Sequence, residues 1–236
     1  MHSARNQGRY AGVLYLLGSL PAFFALLYVP SKLIVHGDAQ ATAHNIAASE
    51  TLFRLGIAAD LVSQALFIFV VLALYDLLKD VDRRYALHMV VLLLVAIPIA
   101  FLNEVNAIAA LVMVHGTNFL SVFDEAQRNA LAMMFLNLRG HGFDIAGIFW
   151  GLWLFPLGWL VYRSGFLPRI LGVLLILACF AYLANSFTAL VMPQYEASVA
   201  RWMNPLQLAE MVFMLWLLIR GAVPKTSPDM ARPVAV

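Results

Sequence analysis

Four acidic side chains, Asp60, Glu104, Asp144 and Glu210, fall inside long apolar stretches of this 236-residue chain. Ionisable groups at membrane depth are costly and usually face a bundle interior or a watered cavity. Carboxyls in a half-dry cavity can divide acid and base roles. With an imidazole they can also hold a divalent ion that activates water. On the acid/base reading Asp144 or Asp60, assisted by His141, is the base, and Glu104 or Glu210 the acid. Arg54, the one apparent cationic partner of the four, would hold an anionic head group. The metal variant takes His141, Asp144, Asp60 and Glu104 as hard ligands. That spacing is far less specific than a His-Glu-x-x-His motif, so no metal is assigned, and the sequence names no cofactor. Asn103, Asn106, Asn185, Ser186 and Gln207 complete the candidate set as substrate contacts. The plainer alternatives are that the amides and hydroxyl bond helices together, that Glu50 and Arg54, four residues apart, form an ion pair, and that the carboxyls only hold a bundle.

These groups are unevenly spread. At a rise of 1.5 Å per residue, Asp60 and Asp144, each 19 residues from Lys79 and Arg163 respectively, lie about 28 Å from the basic ends of their helices. Glu104 lies about 30 Å from Arg84, Asn185 about 24 Å from Arg169, and Glu210 only about 15 Å from Arg220. Asp60, Ser63 and Gln64 share a helix face, and so do Tyr182, Asn185 and Ser186. The arrangement predicts one polar pocket, open outward, with Glu210 toward its floor.

The elements that must position it are membrane spans. Hydrophobic residues make up 63% of the chain and charged residues 12%, against about 45–50% and 25% in soluble domains. That excludes a soluble globular domain and a disordered chain, and a net charge of +2 is no footprint for nucleic acid. A lone cysteine, Cys179, excludes an intrachain disulfide and a thiolate metal cage. Six stretches reach the roughly 20 apolar residues a crossing needs: Tyr10–Val29, Thr51–Leu78, Ala86–Val114, Gly140–Tyr162, Leu167–Met192 and Pro205–Ile219. Ten of the fifteen Lys and Arg fall at one set of ends and four at the other. This predicts an all-α polytopic bundle with both termini cytoplasmic. Residues 1–222 form a single transmembrane domain in this reading, and 223–236 a disordered cytoplasmic tail.

The outer connections are helical in pattern. Asp38 can cap a helix over Ala39–Ser49, and Ser121 with Asp124 resembles a capping box opening a helix over Glu125–Leu138. Gly140-His141-Gly142 then reads as a break before the fourth span. Gly56-x-x-x-Asp60 and Gly140-x-x-x-Asp144 match at an offset of 84, which suggests a parallel repeat of the second and third spans in the fourth and fifth. Pro98 and Pro156 could kink their helices, and Gly147-x-x-x-Gly151 offers a close-packing face. With no lysine in any span a retinal Schiff base is excluded, and no mid-span histidine pair suggests haem.

Tyr28-Val-Pro-Ser-Lys-Leu-Ile-Val-His-Gly-Asp38, Asn45-Ile-Ala-Ala-Ser-Glu50 with Phe53-Arg54, Phe149-Trp-Gly-Leu-Trp-Leu-Phe-Pro-Leu-Gly158 and Tyr162-Arg-Ser-Gly-Phe-Leu-Pro168 together resemble a bacterial membrane family known as domain of unknown function 4386. The resemblance covers nearly the whole chain. It implies a six-span protein of the bacterial inner membrane and brings no established reaction, so no catalytic role transfers from it. Two function classes stand on the residues themselves. One is a membrane-embedded enzyme acting on a lipidic substrate; the other is a ligand-binding, accessory or transport protein without catalysis. Membrane lipids and a lipidic or small-molecule ligand are the expected partners, nucleic acid is not, and the oligomeric state is open.

Overall fold

The computed structural model describes residues 2–222, and the expected tail over 223–236 lies outside the described residues. Among the described residues every regular element is helical, and six helical stretches are long and apolar enough to span a membrane. They run Arg5–Leu33, Glu50–Leu78, Arg83–His115, Glu125–Arg163, Arg169–Val191 and Pro193–Ile219, each longer than the roughly 20 residues a crossing requires.

The first span joins α1 (His2–Phe23) to α2 (Val29–Leu33) through a wider turn over Phe24–Tyr28. There the Val29 N–H reaches back five residues to the Phe24 carbonyl. The next residue, Pro30, has no N–H to continue the regular ladder, and such widened turns absorb local irregularity. α3 (Ala39–Ala48) begins where the Asp38 carboxylate accepts the Ala41 N–H at 2.8 Å, as the sequence predicts. Ser49, at φ −130° and ψ 43°, separates it from α4 (Glu50–Leu78). α5 (Arg83–His115) is capped by Asp82 and stops at Gly116, whose φ of +64° suits a residue without Cβ.

α6 (Glu125–Leu152) departs twice from expectation. Its capping box is formed by Asp124 and Gln127, one turn beyond the Ser121–Asp124 pairing. It also runs unbroken through Gly140-His141-Gly142. A helical glycine costs about 1 kcal/mol relative to alanine, and packing outweighs that here, since the Asn103 side chain fills the space a Cβ on Gly142 would take. The break falls instead at Trp153, before α7 (Leu154–Arg163), because Pro156 offers no N–H to the Leu152 carbonyl. α8 (Arg169–Val191), α9 (Glu196–Gln207) and α10 (Ala209–Ile219) complete the bundle.

Each span packs on its sequence neighbours, and α1 meets α10 to close the circuit. That closure uses a motif the sequence reading passed over, Gly8-x-x-x-Gly12. A Cβ on Gly8 would lie 2.5 Å from the Ala222 nitrogen, and one on Gly12 2.5 Å from the Leu218 nitrogen. Arg9 donates from Nη2 to the Ile219 carbonyl at 3.0 Å, satisfying an acceptor at the end of α10. The core inside the ring holds Tyr15, Leu74, Met89, Leu93, Trp153, Leu157 and Phe213. A smaller apolar cluster of Val29, Ile46, Phe53, Ala107 and Leu136 lies apart from it. Gly147 and Gly151 pack closely against Ser186 and Tyr182 of α8, the packing role that their spacing suggests.

Candidate functional site

α4, α5 and α6 bring Asp60, Glu104 and Arg139 together. Asp60 and Glu104 are 0% and 1% exposed. Arg139 donates from Nε and Nη2 to one oxygen of Glu104, at 2.9 and 2.7 Å, and its guanidinium stands 4.7 Å from the Phe143 ring centre. Gln64, one turn along α4, donates to Asp60 Oδ1 at 3.4 Å. The two carboxyls lie within hydrogen-bonding reach of each other. Asp60 Oδ2 and Glu104 Oε2 are both buried and have no donor among the described residues. Carboxylates only accept, so a proton carried by one of the two satisfies both.

This corrects the expected cation. Arg54 is 60% exposed and pairs with Glu50 at 2.5 Å, while His115 approaches the other Glu50 oxygen at 3.3 Å. The three form a clasp between the start of α4 and the end of α5. Arg139 looked like a loop charge only because Gly140-His141-Gly142 read as a helix break. With α6 continuous, Arg139 joins the helix face that packs on α5.

Two amides brace the triad. Asn103 donates to the Arg139 carbonyl at 2.8 Å and accepts from Asn106 at 3.2 Å. Arg139 also lines a cleft whose other walls are apolar, among them Val29, Leu33, Phe53, Ile57, Ala107 and Leu136. The cleft holds ≈ 320 Å³ counted with its open mouth, and ≈ 20 Å³ of it is wide enough for water, roughly one molecule. Gly56 permits the close approach of α4 there, since its missing Cβ would lie 3.1 Å from Val29.

The remaining candidates lie in other groupings. Glu210 accepts a 2.6 Å hydrogen bond from the Tyr15 hydroxyl and also faces Tyr182, between α1, α8 and α10. It is therefore the centre of a second cluster, where the sequence suggested the floor of the first. Tyr15→Phe is expected to cost about 1–3 kcal/mol by stripping a donor from a desolvated acid; thermal melts of the detergent-solubilised protein check it, with no loss arguing against that bond. His141 Nδ1 and Asp144 Oδ2 are 3.4 Å apart with partly exposed side chains. Asn185 donates to Asn204 at 2.8 Å, Ser186 is buried against Gly147, and Gln207 closes α9. Among the described residues no three of His, Cys, Asp and Glu gather as a metal site. His141 and Asp144 thus stay apart from Asp60 and Glu104, and the four-ligand variant has no cage.

Six apolar helices with charge buried between them define a multi-pass membrane protein. The chain belongs to the family described as "Domain of unknown function (DUF4386)", whose model matches residues 10–221. It is also similar to an uncharacterized protein of the archaeon Archaeoglobus fulgidus, 35% identical over 78 residues. That match takes in 33% of this chain and 45% of the relative, so the chain spans less than half of the relative's length. No solved structure matches the chain.

Proposed function

We propose that the protein binds a lipidic amphiphile with an anionic head, the head on Arg139 and the tail lying across the open mouth of the apolar cleft, whose interior has room for only about one water molecule. The observation that carries this reading is that, among the described residues, Arg139 is the one charged residue lining that otherwise apolar cleft. Binding sites of this kind are mostly apolar, with a few placed polar groups that orient the ligand. Arg139 spends Nε and Nη2 on Glu104, while Nη1 makes no hydrogen bond among the described residues and can donate to a carboxylate or phosphate oxygen. The excess of Lys and Arg at the opposite ends of the spans supports placing the cleft in the extracytoplasmic half of a cytoplasmic membrane.

The test is native mass spectrometry of the gently purified full chain beside Leu136→Trp, which fills the cleft, and Arg139→Gln. Wild type is expected to carry an anionic amphiphile that both variants lose. A wild-type protein free of such adducts, or variants that retain them equally, would refute the assignment. A second reading, acid/base catalysis on the head group, draws on the two donorless carboxyl oxygens behind Arg139. It predicts a chemically altered amphiphile after incubation with wild type and an unaltered one after incubation with Glu104→Gln.

A further inference from the structure

The triad holds two carboxyls and one guanidinium, with no second cation among the described residues to balance them. From α4 it takes Asp60, with the amide of Gln64; from α5, Glu104; from α6, Arg139. Among the described residues no other charged group enters the surroundings of either carboxyl. His141 and Asp144, further along α6, interact with each other and with Glu196. Glu210 is engaged by Tyr15 and Tyr182, and Lys32 on the short α2 lies over Tyr28 at the surface. An unbalanced charge buried there would be expensive. One shared proton makes the resting set neutral: two carboxyls, one proton and one guanidinium.

We propose that anion binding at Arg139 is coupled to the uptake of one proton by the Asp60–Glu104 pair. The proposal rests on the amphiphile reading above and adds its regulation. An anionic head that takes Arg139 for itself draws the guanidinium off Glu104, which leaves the Asp60–Glu104 pair, with its one shared proton, carrying a buried negative charge and no cation beside it. A proton from the bulk adds to the pair, no covalent bond between heavy atoms forms or breaks, and the site is neutral again with ligand, guanidinium and two protonated carboxyls. The reverse holds by linkage: loss of that proton returns Glu104 to Arg139 and expels the anion. Glu104 and the ligand head are thus rivals for one guanidinium, and ambient pH decides between them.

Decanesulfonate, anionic at every working pH, serves as the probe, so that any proton taken up belongs to the protein. It is titrated into the full-length protein in a weakly buffered, near-neutral detergent solution carrying a pH indicator. Protein-free micelles and Leu136→Trp give the partition background. Uptake of close to one proton per bound sulfonate is expected, with affinity falling about tenfold per pH unit over the range where the coupling operates. The double variant Asp60→Asn with Glu104→Gln, which leaves no carboxyl beside Arg139, should bind more tightly, because Arg139 is released, and take up no proton. Asp60→Asn, which keeps the ion pair but lacks the second carboxyl, gives an independent measure of the same stoichiometry. Saturable binding to wild type without proton uptake overturns the coupling and leaves the amphiphile site standing. Absence of saturable binding to both wild type and the double variant overturns the site itself, and the coupling with it.

Discussion

Arg139→Met is expected to destabilise the protein by about 3–5 kcal/mol, the range for removing one partner of a buried ion pair. Methionine matches much of the arginine's length and apolar stem, so the loss is mainly that of the guanidinium. At a pH high enough to hold the pair at one proton, the Glu104 oxygen that Arg139 bonded is left charged and without a donor in a site that is nearly closed to solvent. The second substitution Glu104→Gln removes the stranded charge, and the double variant should regain most of the stability, because replacing both partners of a buried pair is often near neutral. Thermal melts of wild type, both single variants and the double variant form a cycle in which neighbours of this kind are strongly non-additive. Equal melting of Arg139→Met and wild type would show that the pair carries no structural weight.

Gly12→Val should be the most damaging change on the α1–α10 seam. The new Cβ would meet the Leu218 nitrogen at 2.5 Å and the Leu217 carbonyl carbon at 2.8 Å, and main-chain atoms cannot rotate away. Overpacking costs about 1–3 kcal/mol and sometimes more; a clash with rigid backbone puts this variant at or above the top of that range. Gly140→Ala is the contrasting control. A Cβ there meets nothing within 4 Å, the residue is helical, and the gain in helix propensity is worth about 0.5–1 kcal/mol. Melting temperatures moving in opposite directions for the two substitutions would bear out both placements; destabilisation by Gly140→Ala would mean that the helix is not continuous there.

Hydropathy alone located all six spans, since a run of twenty apolar residues has one stable outcome in lipid. The cap at Asp38 was legible for a similar reason: side chain and backbone partner are three residues apart. The fourth span was misjudged because local glycine propensity argued for a break, while the side chain that stabilises the helix, Asn103, comes from another element. The same error hid Arg139, which a helical-face reading of Glu125–Leu152 would have set beside α6's other inward residues. Gly8-x-x-x-Gly12 carried a visible signal in its spacing and was overlooked. The separation of Glu210 from Asp60 and Glu104 was not legible, because it depends on how the spans are rotated and staggered. The matched Gly56–Asp60 and Gly140–Asp144 pairs also have different surroundings. Asp60 is fully buried and Gly56 packs on Val29, whereas Asp144 is partly exposed and Gly140 faces open space.

The seam between α1 and α10 has a bearing on biogenesis. The flat strip at Gly8 and Gly12, made early in translation, matches a stretch around Leu217–Ala222 that the ribosome reaches some two hundred residues later. Until that stretch is inserted, the nascent bundle is an open crescent whose first crossing must be shielded by acyl chains or by an insertion chaperone. Shortened products ending before α10 are therefore expected to be recognised by quality-control proteases, even with Asp60, Glu104 and Arg139 already paired.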